Sequence, residues 1–390
     1  LYANDSGSYN TATGRFALLN NNGSYNTATG YEAARYLESG TGGNVVMGYQ
    51  AGYGNVVDSI TYYNNTIIGY QSGYALTEGN DNIHIGYRAG YSQTTADGNI
   101  FLGSYAGRFV TTQGANIIIG RNAGQDIADT NNVIIGDNAG IEMNGGNNVV
   151  IGTSAASGTN GLTTFDSGVI IGYLAGNVLE SGSNTLIGYR AGNKVTTGTY
   201  NTVIGRDAMF NNITGDNNVI IGKQACQGQT GGSHSNNTVI GYEAGYSLTT
   251  GSGNVFIGYQ AGYDIDTTSN LLIISNSNTA TPLIEGDFAA QTLHINGTLS
   301  ADTLVTSTFS GVHSLTSGDS TTSINFAAAT GDTNYAVTVS LSNDVDSPPS
   351  IYAYIVTNKT VNGFDVLFSD PIDSNNYKLE YIVDTNPNIT

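Results

Sequence analysis

Asn132-Val133-Ile134-Ile135-Gly136-Asp137-Asn138-Ala139-Gly140 is one of fifteen copies of a phrase whose repeat glycines run from Gly14 to Gly258. Four places before the repeat glycine stands Asn in fourteen copies, Gly168 being the exception. Three places after it stands Ala in fourteen copies, Ser72 being the exception. Six of the fourteen spacings between these glycines are 17 residues, four are 16, and the others are 18 to 21. A fixed period of this kind marks a solenoid, in which each coil buries its apolar face only by stacking on its neighbours.

The three residues before each glycine are mostly β-branched or otherwise apolar, as in Ile117-Ile118-Ile119 and Val255-Phe256-Ile257. Such residues favour pleated strands, and the flanking Asn and Gly favour turns. Glycine recurs too often for a helix. Each copy therefore reads as a short strand, a tight corner, a second short extended piece and a return loop. At the inter-strand spacing of a β-sheet, fifteen coils make a rod roughly 70 Å long. Sixteen or seventeen residues are few for a three-sided coil, so the reading is a flattened, two-sided roll. The Asn ladder (Asn65, Asn82, Asn99, Asn116, Asn132, Asn148, Asn184, Asn201, Asn218, Asn237 and Asn254) is expected to exchange side-chain amide hydrogen bonds from coil to coil and to satisfy turn backbone. The Ala row marks an interior with room for a methyl, and the Gly that follows it in ten copies marks a backbone conformation or close approach.

Side chains alternate faces along a strand, so a solitary solenoid should read apolar inside and polar outside. Here all three strand positions are apolar in most copies. One face fills the roll and the other calls for a partner surface, since a continuous apolar stripe exceeds what a soluble monomer exposes. Closed cyclic self-association meets that need without runaway filaments.

The Asn-x-x-Ile-Gly-x-x-Ala-Gly phrase, as at Asn254 to Gly262, resembles the head repeats of trimeric autotransporter adhesins, and still more the longer repeats of bacteriophage tail-fibre proteins. Thr281-Pro282-Leu283-Ile284-Glu285-Gly286-Asp287-Phe288 and Leu293-His294-Ile295-Asn296-Gly297-Thr298-Leu299 resemble the exit from such repeats. The resemblance implies an all-β chain: a left-handed parallel β-roll shaft, three chains about one axis. It also implies a virion or extracellular location, and as partners two identical chains, other tail proteins and a bacterial cell-surface receptor.

The organisation expected is a repeat shaft over 1–265, neck strands wrapping about the axis over 266–311, and an antiparallel β-sandwich tip over 312–390. The tip carries five or six strand-like runs, among them Tyr335-Ala336-Val337-Thr338-Val339-Ser340-Leu341. If the chain recognises a receptor, Tyr352, Tyr354, Asn358, Lys359, Phe364 and Tyr377 in this tip are the candidates, acting three at a time by avidity. Starting at Leu1 in mid-repeat, the chain reads as a segment of a longer polypeptide.

Composition agrees with a fibrous β protein: 53 Gly, 26 Tyr, no Trp and 11% charged residues in 390. A net charge of −19 speaks against nucleic acid, and no apolar run reaches the length of a membrane helix. No cofactor, metal or catalysis is expected. The four histidines stand at no metal-ligand spacing, and the single Cys226 reads as a packed thiol. Carboxylate pairs such as Asp126/Asp129 and Asp264/Asp266 could in principle serve glycoside hydrolysis, and they read as solvated loop charge. Tyr follows the repeat glycine in eight copies and the Ala-Gly or Ser-Gly pair in five, rows that either stack and seal chain contacts or bind sugars. The function expected is a receptor-binding fibre. A polysaccharide-degrading fibre and a cell-anchored adhesin are the alternatives, with ice binding by Thr rows a weaker fourth.

Overall fold

The computed structural model of the chain describes residues 6–37, 42–54, 60–158, 165–180, 182–229 and 231–298, and six strands beyond them at 309–314, 321–325, 336–343, 354–360, 363–368 and 377–384. All elements are strands, and no helix occurs among the described residues. The chain divides into two compact units, 1–298 and 299–390.

The first unit is a parallel β-solenoid of about fifteen turns. Fifteen three-residue strands, from Thr11–Thr13 to Val255–Ile257, stack in parallel and in register, so that Ile118 lies beside Ile134 and Ile134 beside Val150. The middle residue of each strand points into the roll and is buried in every coil except at Ala12. The Ala row, with Ser72 in its place in one coil, lines the opposite wall and is likewise buried. That wall forms few regular strands (only the pair Asp126–Ile127 and Glu142–Met143), yet its backbone is bonded from coil to coil, as in Gly124 N–H to the Ala139 carbonyl at 2.9 Å. The seventh residue after the repeat glycine (Leu76, Val110, Ile127, Met143, Leu179, Val195, Leu248) fills the space between the walls.

The Asn ladder runs the length of the roll with a different bonding scheme from a simple exchange of amides. In twelve steps the backbone N–H of one ladder Asn donates to Oδ1 of the Asn in the coil before, at 2.8–3.1 Å. Its Nδ2 then reaches a return-loop carbonyl, as from Asn82 to Ala96 and from Asn99 to Gln113, both 2.9 Å. Direct Nδ2 to Oδ1 bonds occur at only some steps, such as Asn218 to Asn201 at 2.9 Å. The physical reason is that a buried backbone N–H at the corner has no strand partner, and an amide oxygen one coil away meets that requirement at every step.

A second ladder, not read from the sequence, lies two residues before the first and runs the opposite way. Here the earlier coil donates: Asn80 N–H to Asp97 Oδ1 and Thr199 N–H to Asp216 Oδ1 at 2.6 Å, and Asp216, Ser235 and Ser252 each to the next serine hydroxyl at 2.9–3.1 Å. Gly168, the gap in the Asn ladder, keeps the backbone half of its rung by donating to Asn148 Oδ1 at 2.7 Å. A Cβ there would meet the Phe165 ring at 2.9 Å.

In the first part of the stretch assigned to the neck, the strands pair within the chain. Leu271–Ile274 adds a last parallel strand to Val255–Ile257, then Ile284–Asp287 and Thr292–Ile295 follow antiparallel. This reversal ends the parallel stack, whose open edge is otherwise a template for further pairing.

The second unit comprises two three-stranded antiparallel sheets. One is ordered Phe309–Ser314, Tyr377–Asp384, Ala336–Asn343; the other is Thr321–Asn325, Gly363–Phe368, Tyr354–Thr360.

Candidate interaction surfaces

The outer face of the roll follows from the strand geometry. With the middle residue inside, the first and third positions of each strand point outward, and they are apolar in most coils. Val45, Met47, Ile85, Ile204, Val219, Ile240 and Ile257 are 36–42% exposed in the single chain. They form two parallel apolar rows along the rod. At the closing hairpin, Leu283, Phe288 and Leu293 are exposed as well, Leu293 at 63%.

Beside these rows run the tyrosines. Tyr31, Tyr49, Tyr70 and Tyr87 stack face to face from coil to coil, with centroids 5.0–5.3 Å apart. Tyr53, Tyr74 and Tyr91 form a second stack at 5.0–5.1 Å. Shorter runs recur at Tyr173–Tyr189, Tyr242–Tyr259 and Tyr246–Tyr263. Between the two rows lies a polar ladder in which Gln50 donates to Glu32, Gln71 to Gln50 and Arg88 to Gln71 at 2.8–2.9 Å. Arg88 also covers the faces of Tyr87 and Tyr91. Because stacked rings cover one another's faces, these rows offer edges and hydroxyls, not the open platforms that sugar stacking uses. Burial, reinforced by the hydrogen bond to Tyr36, pushes the Tyr53 phenol up to about 12.

Three of the four paired acids are engaged in local structure, and Asp126 is exposed. Asp264 accepts from Asn278 at 2.9 Å at the rim of an open hollow of about 310 Å³ that Ile273, Pro282 and Glu285 also line. Asp266 accepts the Thr249 hydroxyl, and Asp129 accepts the Thr130 N–H at 2.8 Å. Among the described residues, no group of three or more His, Cys, Asp or Glu is arranged to hold a metal, and no helix is long and apolar enough to cross a membrane. Cys226 is buried, and burial pushes its thiol up.

His84 occupies the inward strand position that is apolar in every other coil. It stacks on Phe101 at 5.1 Å and pairs through Nε2 with Gln93 Oε1 at 3.0 Å, Gln93 itself standing where other coils carry Leu or Val. Burial lowers its basicity to about 4 against the opposing pull of the Gln93 bond. A ring that is neutral in the fold and titrates near 6.5 when unfolded leaves stability intact above that value and removes it as pH falls toward 4. Replacing the pair in the double variant His84→Phe, Gln93→Leu is expected to remove roughly 3 kcal/mol of acid sensitivity between pH 7.5 and 4, read from denaturant melts at both pH values.

The residues singled out for recognition fall on both sheets of the C-terminal unit. Tyr354, Asn358 and Lys359 lie on Tyr354–Thr360, Phe364 on the adjacent Gly363–Phe368, and Tyr377 opens Tyr377–Asp384 of the other sheet. Phe364 is 2% exposed, buried with Val366, whereas Lys359 is exposed. Tyr352 lies outside the described residues. Comparison with known protein families, curated proteins and solved structures finds no match for this chain.

Proposed function

We propose that the chain is the shaft and end unit of a trimeric fibre, of the kind a bacteriophage tail uses to bind a bacterial surface glycan or protein. The observation that carries this reading is the pair of apolar rows on the outer face of the roll. Two further copies packed about a common axis, in a left-handed roll, would cover both rows along their whole length, and the tyrosine stacks would seal the seams between chains. The end unit, as a small β-sandwich, would present three copies of the strand Tyr354–Thr360 and its loops, so that weak contacts by Tyr352, Tyr354, Asn358, Lys359 and Tyr377 act together. The work done is reach and multivalent binding, on the outside of a virion and without turnover of the receptor.

Sedimentation equilibrium tests the assembly. The expected mass is three times the 40.5 kDa chain, and a well-behaved 40.5 kDa species overturns the proposal. Substituting Ile204→Asp together with Ile240→Asp is expected to yield that single-chain mass with the β circular-dichroism signal retained, because both side chains point out of the roll. Incubation with host capsule or lipopolysaccharide separates binding from cleavage: retention without shortened chains fits the fibre, shortened chains the degrading alternative.

A further inference from the structure

The three longest spacings follow Gly48, Gly152 and Gly222, and all three coils solve the same packing problem in the same unusual way. In an ordinary coil the seventh residue after the glycine fills the roll. In these three that position is Asn55, Thr159 and Gln229, and Gln229 is exposed. The residue three places before the next ladder position turns inward instead: Tyr62, Phe165 and His234, each at most 1% exposed, with Ile60 beside Tyr62 taking the level of Leu37, the seventh residue of the coil before. Elsewhere that place holds a small residue such as Gly79, Ala96, Gly198 or Gly251, or a non-aromatic polar one, as at Gln113 and Asp129. The carbonyls of all three plugs accept a ladder amide, from Asn44 at 3.1 Å, Asn148 at 2.8 Å and Asn218 at 2.9 Å. A coil that lengthens its return loop therefore re-enters the roll through an aromatic plug pinned to the ladder.

The plugs differ in chemistry. The Tyr62 hydroxyl donates to the Gly52 carbonyl at 2.8 Å, and Phe165 has no polar atom to satisfy. His234 is less well served: Asn237 Nδ2 approaches its Nδ1 at 3.4 Å, and Nε2 has no hydrogen-bond partner. We propose that His234 is an acid-released latch, whose protonation expels the ring from the roll and frees residues 231–236 while the Tyr62 and Phe165 plugs stay seated.

Among the described residues, no charged group is placed to hold a cationic ring there. The side chains hydrogen-bonded to His234 are the amides of Asn212, Asn218 and Asn237, and the hydroxyls of Thr214 and Ser252 bond its neighbours Ser233 and Ser235. The preceding coil's acid, Asp216, commits its carboxylate to the Thr199 N–H and hydroxyl at 2.6 and 3.0 Å. The following coil contributes the Thr249 and Gly251 carbonyls to the same region. Cys226, in the same coil, is a buried neutral thiol. Burial alone lowers the ring's basicity to about 4, so between pH 6.5 and 4 an opened segment takes up a proton that the closed one refuses.

Cys226, the sole cysteine, is a built-in reporter, eight residues before His234 in the same coil. The experiment labels the full-length chain with 4,4′-dithiodipyridine at pH 7.5 and 5.0, each rate divided by that of a free-thiol peptide. The wild type is expected to gain about 30-fold in normalised rate at the lower pH. His234→Phe, and His234→Tyr should the first variant not fold, are expected to show no gain, since the chain already uses both rings at this place in other coils. His84→Phe should leave the gain intact. A gain of equal size in the His234 variants, or none in the wild type, overturns the latch. So does a parallel loss of hydrogen-exchange protection at residues 60–64 and 165–167.

Discussion

Gly136→Ala is expected to break the roll at its coil, with a loss of about 4 kcal/mol or more, whereas Gly140→Ala four residues later costs about 1 kcal/mol. The two glycines share a coil, but the first recurs in all fifteen copies and the second in ten. At Gly136 the backbone has φ +142°, and an added Cβ meets the Gly152 carbonyl oxygen at 2.5 Å and its carbon at 2.6 Å. Every repeat glycine repeats this arrangement, with φ between +119° and +146° and the next coil's backbone in the way. Neither coil can yield without lengthening the coil-to-coil bonds on both sides. At Gly140 φ is +52°, in the ordinary left-handed region, and the obstacles are methyl carbons of Ile134 at 3.3 Å. Five coils already place Leu18, Ala34, Ala156, Met209 or Cys226 at this position with φ between +45° and +50°, their side chains buried. Guanidinium unfolding followed by circular dichroism measures the difference, and hydrogen exchange should place the Gly136→Ala defect in residues 132–158. Equal losses for the two variants would show that the glycine ladder is not a contact ladder.

That contrast marks where sequence reading stops. The period, the Asn ladder and the Ala row were legible because each demands one residue type at one place. An amide must both accept and donate, and the interior admits only a methyl. The glycine after Ala was legible as a special position but not as which kind, since conformation and close approach both select glycine. The non-glycine residues at Leu18 and Met209 show that conformation decides there. The second ladder stayed hidden because its rungs need only an acceptor, which Asn80, Asp97, Asp216, Ser235 and Ser252 supply equally well. The plugs Tyr62, Phe165 and His234 escaped notice for a related reason: each sits in an irregular insertion, and only the polar residue at the seventh position (Asn55, Thr159, Gln229) links them in the sequence. Three apolar strand residues were read as two buried faces. The coil shows the split within each triplet, Ile134 inside with Val133 and Ile135 outside, which periodicity alone does not assign. Among the recognition candidates, Phe364 illustrates the limit for short strands, where an aromatic residue serves a core and a surface equally well until its face is known.

Asn116→Leu, of nearly the same volume, is expected to cost about 3 kcal/mol, and Asn116→Asp to cost more at neutral pH than in acid. Asn116 Oδ1 accepts the buried Asn132 N–H at 2.9 Å, and its Nδ2 donates to the Gly114 and Asp129 carbonyls at 3.1 and 3.2 Å. Leucine removes all three bonds and leaves the N–H without an acceptor, which is the costly part, since each carbonyl keeps a second lone pair. Aspartate restores the acceptor but faces two carbonyl oxygens with no proton to offer while it is ionised. Burial and those carbonyls raise its folded basicity above the unfolded value near 4, so its penalty is largest at high pH and shrinks as the group protonates. The wild type moves the other way over the same range, because its two buried histidines lose stability as pH falls from 6.5 toward 4. Denaturant melts at pH 7.5 and 5.0 should therefore bring Asn116→Asp closer to the wild type in acid while Asn116→Leu stays a constant distance below it. If the aspartate variant matches the wild type at pH 7.5, the rung needs only its acceptor, and the donor half of the ladder contributes nothing measurable.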